Sequence, residues 1–216
     1  MAYGVRIECW GEYACFSRPE MKVERVSYDI ITPSAARGLV EAIYWHPGMK
    51  YVIDEIDLLK PITYSNVRRN EVNSKISAKT VKSNLQRNQM YLCTKMDIAQ
   101  RASLILKEVR YCIHLHFEMT DKAAVTDNPG KFRDILCRRA RKGQCYHQPY
   151  FGCREFPASF RLVEDDEIIS PYPETRDLGY MLYDMDYSDN KNIVPEWFHG
   201  QLVKGVMDLR NCEVHR

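Results

Sequence analysis

The residues best suited to chemistry lie in one short basic stretch, 128–142. Asn128, Pro129 and Gly130 predict a turn, and apolar residues then recur at the spacing of a helix that starts near Lys131. Backbone N–H groups and the helix dipole favour an anion at a helix start, so Lys131 is placed to stabilise a phosphate. The other cations of this helix are Arg138, Arg139, Arg141 and Lys142. A polyanion is the natural partner; a solvated basic face is the alternative.

A second candidate is a histidine on a predicted strand. Apolar and polar residues alternate over 109–119, which predicts a strand with His114 and His116 on one face. A histidine can act as general acid or base at neutral pH, so His116 is a candidate catalytic base. A hydrogen-bonded structural histidine is the alternative.

Two other segments add to the basic character. Residues 66–88 are polar and basic with few large apolar side chains, which predicts an extended hairpin projecting from a sheet, with a disordered insertion as the alternative. Gly152 beside Arg154 either allows close approach of RNA or marks only a turn. Since RNA recognition uses phosphate contacts and stacking, the predicted RNA-binding residues are Arg68, Arg69, Arg138, Arg139, Arg141, Lys142 and Arg154.

Composition limits the class of protein. The 216 residues are 45% hydrophobic, enough for the core of one large or two small domains. A net charge of +2 is too small to indicate nucleic-acid binding by itself, so only local clustering argues for it. The sequence has no apolar run of membrane-spanning length and no secretory signal, which predicts a cytoplasmic protein without a membrane partner.

The cysteines predict neither disulfides nor a strong metal site, and no cofactor is expected. Reduced core residues are expected at Cys9, Cys93, Cys112 and Cys137. A minor alternative is a zinc site, although its members lack a Cys-x-x-Cys pair. They are Cys137, Cys145, His147 and Cys153.

The order of predicted elements indicates an α+β fold. A helix capped at Thr32 or Ser34 ends before Tyr44, and the second helix is the basic one. Strands are predicted at 3–10, 51–60, 62–69, 89–96, 109–119 and 159–163. Residues 1–163 are therefore expected to form a ferredoxin-like, RRM-like β-α-β-β-α-β domain, with the basic hairpin excursion at 66–88.

The remaining residues predict a small antiparallel β-sheet. Strands are expected at 179–186 and 201–208, with Trp197 and Phe198 between them. The region 164–216 is thus assigned to a C-terminal sheet, with a boundary near 164–176.

Five stretches in this order resemble a known family. They are Trp10–Phe16, Glu41–Pro47, Ile53–Ile62, Asn128–Lys131 and Phe151–Glu155. The chain is similar in them to the Cas-five subunits of subtype d, RAMP-superfamily proteins of type I-C CRISPR systems. The resemblance implies a metal-independent endoribonuclease that cuts the repeat hairpin of precursor CRISPR RNA. It also implies that the protein holds the crRNA 5′ handle among other type I-C Cascade subunits, and it leaves double-stranded DNA open as a further ligand.

The resemblance also implies catalytic residues. In the family, activity is associated with a tyrosine at the end of the first helix and a Lys-His pair at the start of the later one. The tyrosine and lysine map onto Tyr44 and Lys131, although on the residues alone simple packing explains Tyr44. Phe132 stands in place of the histidine. The remaining candidate bases are His116, His114 and His46. The alternative function is a non-catalytic subunit that binds the handle without cutting.

Overall fold

The computed structural model describes residues 4–21, 23–84, 91, 93–189 and 192–216. Its helices are α1 (Pro33–Ile43), α2 (Ala78–Asn84) and α3 (Pro129–Arg141). Its strands are β1 (Val5–Ala14), β2 (Arg25–Val26), β3 (Met49–Leu58), β4 (Tyr64–Val72), β5 (Ile98–Met119), β6 (Ser159–Val163), β7 (Arg176–Asp186), β8 (Val194–Leu202), β9 (Val206–Asp208) and β10 (Val214–His215).

The main sheet is built around the long strand β5. The second half of β5 pairs antiparallel with β1 on one side and β3 on the other, and the order across the sheet is β6-β1-β5-β3-β9. The first half of β5 pairs antiparallel with β4 and parallel with the short β2. The fold is therefore mixed α and β, with antiparallel sheets and few helices, as the element order predicted.

Each long helix begins where the sequence supplies a cap. The side chain of Thr32 accepts a hydrogen bond from the Ala35 N–H (3.3 Å), and that of Asn128 accepts one from the Lys131 N–H (2.9 Å). A proline follows each cap, at a position where its missing N–H costs nothing. The buried helix side chains include Leu39, Val40, Ile43, Phe132 and Leu136. These residues cover one face of the main sheet.

The other face of the main sheet is polar. Glu8 is only 1% exposed, and its carboxylate accepts hydrogen bonds from both Arg110 and Arg161. A buried carboxylate requires pairing of this kind. His114 and His116 also lie on this face, each hydrogen-bonded to an aspartate of β3. The alternation of apolar and polar residues over 109–119 therefore correctly predicted that His114 and His116 share one face.

The basic excursion is an arm formed by β4 and the first half of β5. Tyr64 pairs with Leu106 at its base and Val72 with Ile98 farther out, and α2 follows β4 at the far end. The arm is an extended hairpin over the described residues, and positions 85–88 of the predicted excursion lie outside them. The strand expected at 89–96 is wrong, because residues 94–96 form a turn before β5 begins; 89, 90 and 92 lie outside the described residues.

The C-terminal residues form a second sheet of order β10-β8-β7. The strand expected at 179–186 lies within β7, but the one expected at 201–208 is misplaced. Trp197 and Phe198 lie inside β8, because Phe198, Gly200 and Leu202 alternate inward. The short β9 joins the main sheet beside β3, and β7 is tied to α1 by the Arg37–Asp184 ion pair (2.7 Å).

No helix in the described ranges is both long and apolar enough to cross a membrane.

All eight cysteines are free. Cys9, Cys112 and Cys137 are buried as expected, whereas Cys93 is exposed because it lies in the turn that precedes β5. The cysteines therefore contribute to the core from strands and from a helix, but not from this turn.

Candidate functional site

The two longest helices bring Tyr44 close to the start of α3. Tyr44 is the residue that ends α1, and its extended backbone (φ −153°) leads the chain away from the helix. Its ring packs on Phe132, with 6.3 Å between ring centroids, and the Arg139 guanidinium lies 5.1 Å from the centre of the ring. Phe132 is buried and packs in turn on Phe117 of β5 (6.4 Å). Tyr44 is therefore held rigidly against the core.

Lys131 lies in the first turn of α3 with nearly half of its side chain exposed. Its Nζ donates a hydrogen bond to Oδ1 of Asp127 (2.8 Å), and Oδ2 of Asp127 accepts the Ala124 N–H (3.0 Å). The bond to Asp127 raises the pKa of Lys131, so the amine stays protonated, and it lowers the pKa of Asp127. Asp127 is not among the residues predicted from the sequence, although its place just before the cap Asn128 is a signal visible there.

Tyr44 and Lys131 are close enough to influence each other's charge. Burial raises the pKa of the Tyr44 phenol, and the positive charges of Lys131 and Arg139 partly offset that increase. Tyr44 in turn contributes to the raised pKa of Lys131. The phenol consequently keeps its proton at neutral pH, so it can donate or orient a hydrogen bond but is a poor base.

His46 is the histidine that joins this site. Its ring packs on Phe132 with 5.0 Å between centroids, and its Nδ1 lies 3.9 Å from Oδ2 of Asp127. Nδ1 also accepts the Gly48 N–H (3.1 Å), so the neutral ring carries its proton on Nε2. Side-chain accessibility of 36% leaves the ring reachable from solvent. His46 was one of three reserve candidates in the sequence and is the one placed beside Tyr44 and Lys131.

The sheet separates His116 from Tyr44 and Lys131. Nδ1 of His116 lies 2.9 Å from both oxygens of Asp54, on the polar face. Its neighbour Phe117 points to the opposite face, where it packs on Phe132 of α3. This geometry favours the structural interpretation of His116, as a histidine hydrogen-bonded to a neighbouring strand.

His114 shares that placement. Its Nε2 lies 2.7 Å from Oδ2 of Asp57, also on the polar face. Neither strand histidine can therefore reach a ribose bound beside Tyr44.

The predicted RNA-binding residues divide into engaged and available cations. Arg139 donates to the Ile43 carbonyl (2.8 Å), Arg141 pairs with both oxygens of Glu164 (2.6 and 2.8 Å), and Arg69 pairs with Glu155. These three side chains have structural partners. The other four are exposed and make no side-chain hydrogen bond or ion pair within the described ranges: Arg68, Arg138, Lys142 and Arg154.

Gly152 serves packing between two segments of the chain. Its φ of +77° is left-handed, and a Cβ added there would meet the Cys15 carbonyl oxygen at 2.0 Å. The Cys15 N–H donates to the Phe151 carbonyl beside it (3.1 Å). The close approach that requires a glycine is thus to the Cys15 backbone.

Exposed aromatic side chains adjoin the helix junction. Trp45 follows Tyr44 and is 58% exposed, and Tyr146, whose N–H donates to the Ala42 carbonyl (2.9 Å), is 84% exposed. Flat exposed rings next to cations can stack on unpaired bases. Tyr146 is not predicted from the sequence, because only the fold brings it to the end of α1.

The zinc set considered in the sequence does not assemble. Within the part of the chain that the structure describes, its members are not among the side chains whose ligand atoms come within metal-binding distance. Those members are Cys137, Cys145, His147 and Cys153.

Comparisons with known proteins match nearly the whole chain. The family model Cas_Cas5d, described as CRISPR-associated protein (Cas_Cas5), matches residues 4–209. A relative from Mannheimia succiniciproducens is 47% identical over 217 residues, with 97% of this chain and 96% of that protein covered. A second, from Thermus thermophilus, is 41% identical over 222 residues, with 95% and 90% covered. Both relatives are named CRISPR pre-crRNA endoribonuclease Cas5d.

Solved structures agree with this fold. A crystal structure titled as a CRISPR-associated protein has a TM-score of 0.70 at 20% identity and covers 99% of this chain and 96% of its own. A Streptococcus mutans protein, SMU1763c, titled as functionally uncharacterized, gives 0.69 at 20% identity, with 99% and 97% covered. On the family match and the two close relatives, the chain belongs to the Cas5d family of CRISPR-associated proteins.

Proposed function

We propose that this protein is a metal-independent endoribonuclease that cleaves the repeat hairpin of precursor CRISPR RNA and then retains the 5′ handle. The observation that carries the proposal is the convergence of Tyr44, Lys131 and His46 where α1 ends and α3 begins. A protonated phenol, an ammonium group and an imidazole are groups that ribose-phosphate cleavage can use without a metal. The names of the two close relatives support the same activity.

The reaction assigns one task to each side chain. The RNA 2′-oxygen attacks the neighbouring phosphorus, the bond from phosphorus to the 5′-oxygen breaks, and the products are a 2′,3′-cyclic phosphate and a 5′-hydroxyl. Tyr44 orients the 2′-hydroxyl, and Lys131 stabilises the extra negative charge on the phosphorane. His46, first protonated by water to the imidazolium, transfers its Nε2 proton to the departing 5′-oxygen, while the 2′-hydroxyl proton passes to water.

Asp127 sets the resting state of this site. It holds the Lys131 amine at 2.8 Å, and a bound phosphate would compete for the same amine. Because this pair is exposed on the lysine side, solvent screening keeps it weak enough to exchange. RNA binding therefore transfers Lys131 from a carboxylate to the scissile phosphate.

His46 takes the role that the resemblance assigns to a histidine at the position of Phe132. Phe132 is 1% exposed and lies in the core. Its phenyl ring has no group that can donate or accept a proton. The His46 ring packs directly on Phe132. Its imidazole therefore lies at the start of α3, although His46 belongs to the segment that follows α1.

The available cations define an RNA-binding surface: Arg68, Arg138, Lys142 and Arg154. We propose that these residues neutralise phosphates, while Trp45 and Tyr146 stack on unpaired bases. The predicted Arg69, Arg139 and Arg141 instead hold the surface in place through their internal partners.

The finer fold assignment is also a proposal. Elements β1, α1, β3, β5, α3 and β6 follow the β-α-β-β-α-β order, and the sheet order β6-β1-β5-β3 supports a ferredoxin-like domain. We place its end near 164–176, with the C-terminal sheet as an appended region and the other type I-C Cascade subunits as partners. A cytoplasmic location and binding of double-stranded DNA stay predictions.

A second candidate function is handle binding without cleavage. The observation that favours it is the buried Phe132, which leaves His46 as the sole imidazole proposed for proton transfer. A crRNA-binding subunit would need the cationic surface but not His46.

Cleavage of a cognate repeat hairpin in excess EDTA tests both functions. Wild-type protein should cut to a 2′,3′-cyclic phosphate, and His46→Gln should bind the hairpin normally but cut at least about 10²-fold more slowly, the usual scale of acid–base catalysis. His116→Gln is the matched control and should cut like wild type. Binding without any cutting by the folded wild-type protein would reject the nuclease and favour the second candidate.

A further inference from the structure

Four metal-ligand-type side chains form a square on the polar face of the main sheet. Glu55 of β3 lies directly opposite His114 of β5, and Asp57 lies directly opposite Cys112. Directly opposite residues in a sheet have close side chains, and residues two apart on a strand share a face. Two adjacent cross-strand pairs thus aim a thiol, an imidazole and two carboxylates at one small volume.

A break in the strand register creates this arrangement. The pairing shifts between Ile53 and Glu55, so Asp54 is the extra residue of a bulge. Ile53 and Ile56 are both buried, although a regular strand would point them to opposite faces. The bulge is what turns Glu55 and Asp57 toward the polar face.

The ligand atoms are already at near-binding distances. Single ligand atoms of Asp57, Cys112 and His114 all lie within 4.8 Å of one another. Nε2 of His114 is 2.7 Å from Oδ2 of Asp57 and 3.7 Å from Oε1 of Glu55. Tetrahedral zinc ligands lie about 3.3–3.8 Å from each other, so the atoms of Asp57, Cys112 and His114 are within about 1 Å of that spacing. Glu55 lies outside this group of three and would have to move inward to complete the site.

Asp57 carries an acceptor that nothing in the structure uses. The residue is 4% exposed, and its Oδ1 is buried without a hydrogen-bond partner. Buried carboxylate oxygens are normally paired, because an unpaired one loses its hydration without compensation. A cation bound between Asp57 and the fully buried Cys112 would satisfy it.

The charged side chains next to this cluster already have hydrogen-bond partners. On the neighbouring strand, Arg6 lies opposite His114 and donates to backbone carbonyls of Glu164 and Glu167. Glu8 lies opposite Cys112 and is paired with two arginines. Glu8 is therefore neutralised by its arginines, whereas Arg6 keeps its positive charge, which favours a thiolate at Cys112.

Glu55 is the fourth ligand available. Arg210 donates to its Oε2 (2.8 Å), which leaves Oε1 facing His114. Such an outer hydrogen bond orients a ligating carboxylate.

We propose that Asp57, Cys112, His114 and Glu55 form a zinc site that clamps β3 to β5. Thiolate and imidazole ligands select zinc over magnesium or calcium, which prefer oxygen alone. Zinc binding replaces the Cys112 thiol proton, which is released to solvent. The site lies across the sheet from Tyr44 and Lys131, so its role is structural and separate from RNA cleavage.

Elemental analysis tests the proposal. Protein purified under reducing conditions, dialysed against zinc and then against metal-free buffer should retain about one zinc ion per chain. Cys112→Ser and His114→Gln should lose it, whereas Cys145→Ser and His116→Gln should retain it. Zinc-free wild-type protein, or equal loss from the control variants, overturns the proposal.

Three further measurements guard against variants that misfold. Asp57→Asn keeps the side-chain shape and should also lose zinc while its circular dichroism stays like that of wild type. Cobalt-loaded wild type should show a thiolate-to-cobalt charge-transfer band that Cys112→Ser lacks; a wild-type spectrum without that band overturns the proposal. Zinc at about 100 times its Kd should raise the Tm of the metal-free protein by about 5–10 °C, and an unchanged Tm would contradict the clamp.

Discussion

Replacing Lys131 with alanine gives the sharpest test of the cleavage site. The substitution removes the ammonium group that interacts with Asp127 and Tyr44 but leaves intact the packing of α3 on the sheet through Phe132. The helix cap also survives, because Asn128 accepts the backbone N–H of residue 131, which alanine retains. The variant should therefore fold normally, with a Tm close to that of wild type.

The expected loss is in the chemical step. Loss of one preorganised group that stabilises transition-state charge typically lowers kcat by about 10²–10³-fold. We expect a loss of that size for Lys131→Ala at saturating RNA, because Lys131 is the cation beside the Tyr44 phenol that is exposed enough to reach a phosphate. Arg139, the other nearby cation, is bonded to the Ile43 carbonyl. Affinity for the hairpin should fall only by the share of one phosphate contact.

Single-turnover cleavage of an end-labelled hairpin measures this loss. The matched control is Lys142→Ala, at the other end of α3, which removes a lysine without an ion-pair partner among the described residues and should weaken binding while leaving the saturated rate unchanged. Asp127→Asn adds a second check, since it removes the negative charge that pairs with the Lys131 amine and should not slow cutting at saturating RNA. A Lys131→Ala rate within about threefold of wild type would refute the assigned role, because it is far below the expected 10²-fold effect.

The remaining predictions concern the phenol, the RNA surface and one ion pair. Tyr44→Phe keeps the buried ring, so it should fold like wild type but cut about 10–100-fold more slowly in the same single-turnover assay, as expected for a lost orienting hydrogen bond; an unchanged rate would assign the ring to packing alone. The double variant Arg68→Ala, Arg154→Ala should reduce the slope of log affinity against log salt by about 2, measured by fluorescence anisotropy, and an unchanged slope would place the RNA elsewhere. The hydrogen bonds from Arg141 lower the pKa of Glu164, so this pair stabilises the protein above the ordinary glutamate pKa, and the contribution disappears as pH falls through the lowered value. Urea unfolding of Glu164→Gln and wild type should differ at neutral pH and converge in acid; an equal difference at both pH values would contradict this.

The sequence alone predicted local structure well where one residue type decides it. It predicted a cap at Thr32 or Ser34 and a turn at Asn128 before the second helix. The structure shows Thr32 and Asn128 as the two caps, because their side-chain oxygens accept exposed N–H groups. Alternation in 109–119 and 159–163 identified two central strands. It failed at 201–208, where inward-facing Phe198 and Gly200 decide the strand by packing against the rest of the core.

The sequence also indicated the family and the cationic residues that are candidates for RNA binding. A sequence shows which residues are charged, but it does not show which groups these residues contact, because the contacting groups lie far away along the chain. Only the structure shows that Arg69, Arg139 and Arg141 are engaged by distant groups, while Arg68 and Arg154 are exposed.

Tertiary structure alone decided which reactive groups meet. Tyr44, His46 and Lys131 come together because two helices end and begin on the same side of one sheet, whereas alternation along β5 sends His116 to the other side. The bulge after Ile53 likewise decides that the β3 carboxylates face Cys112, since shifting a strand register by one residue reverses every side chain beyond it.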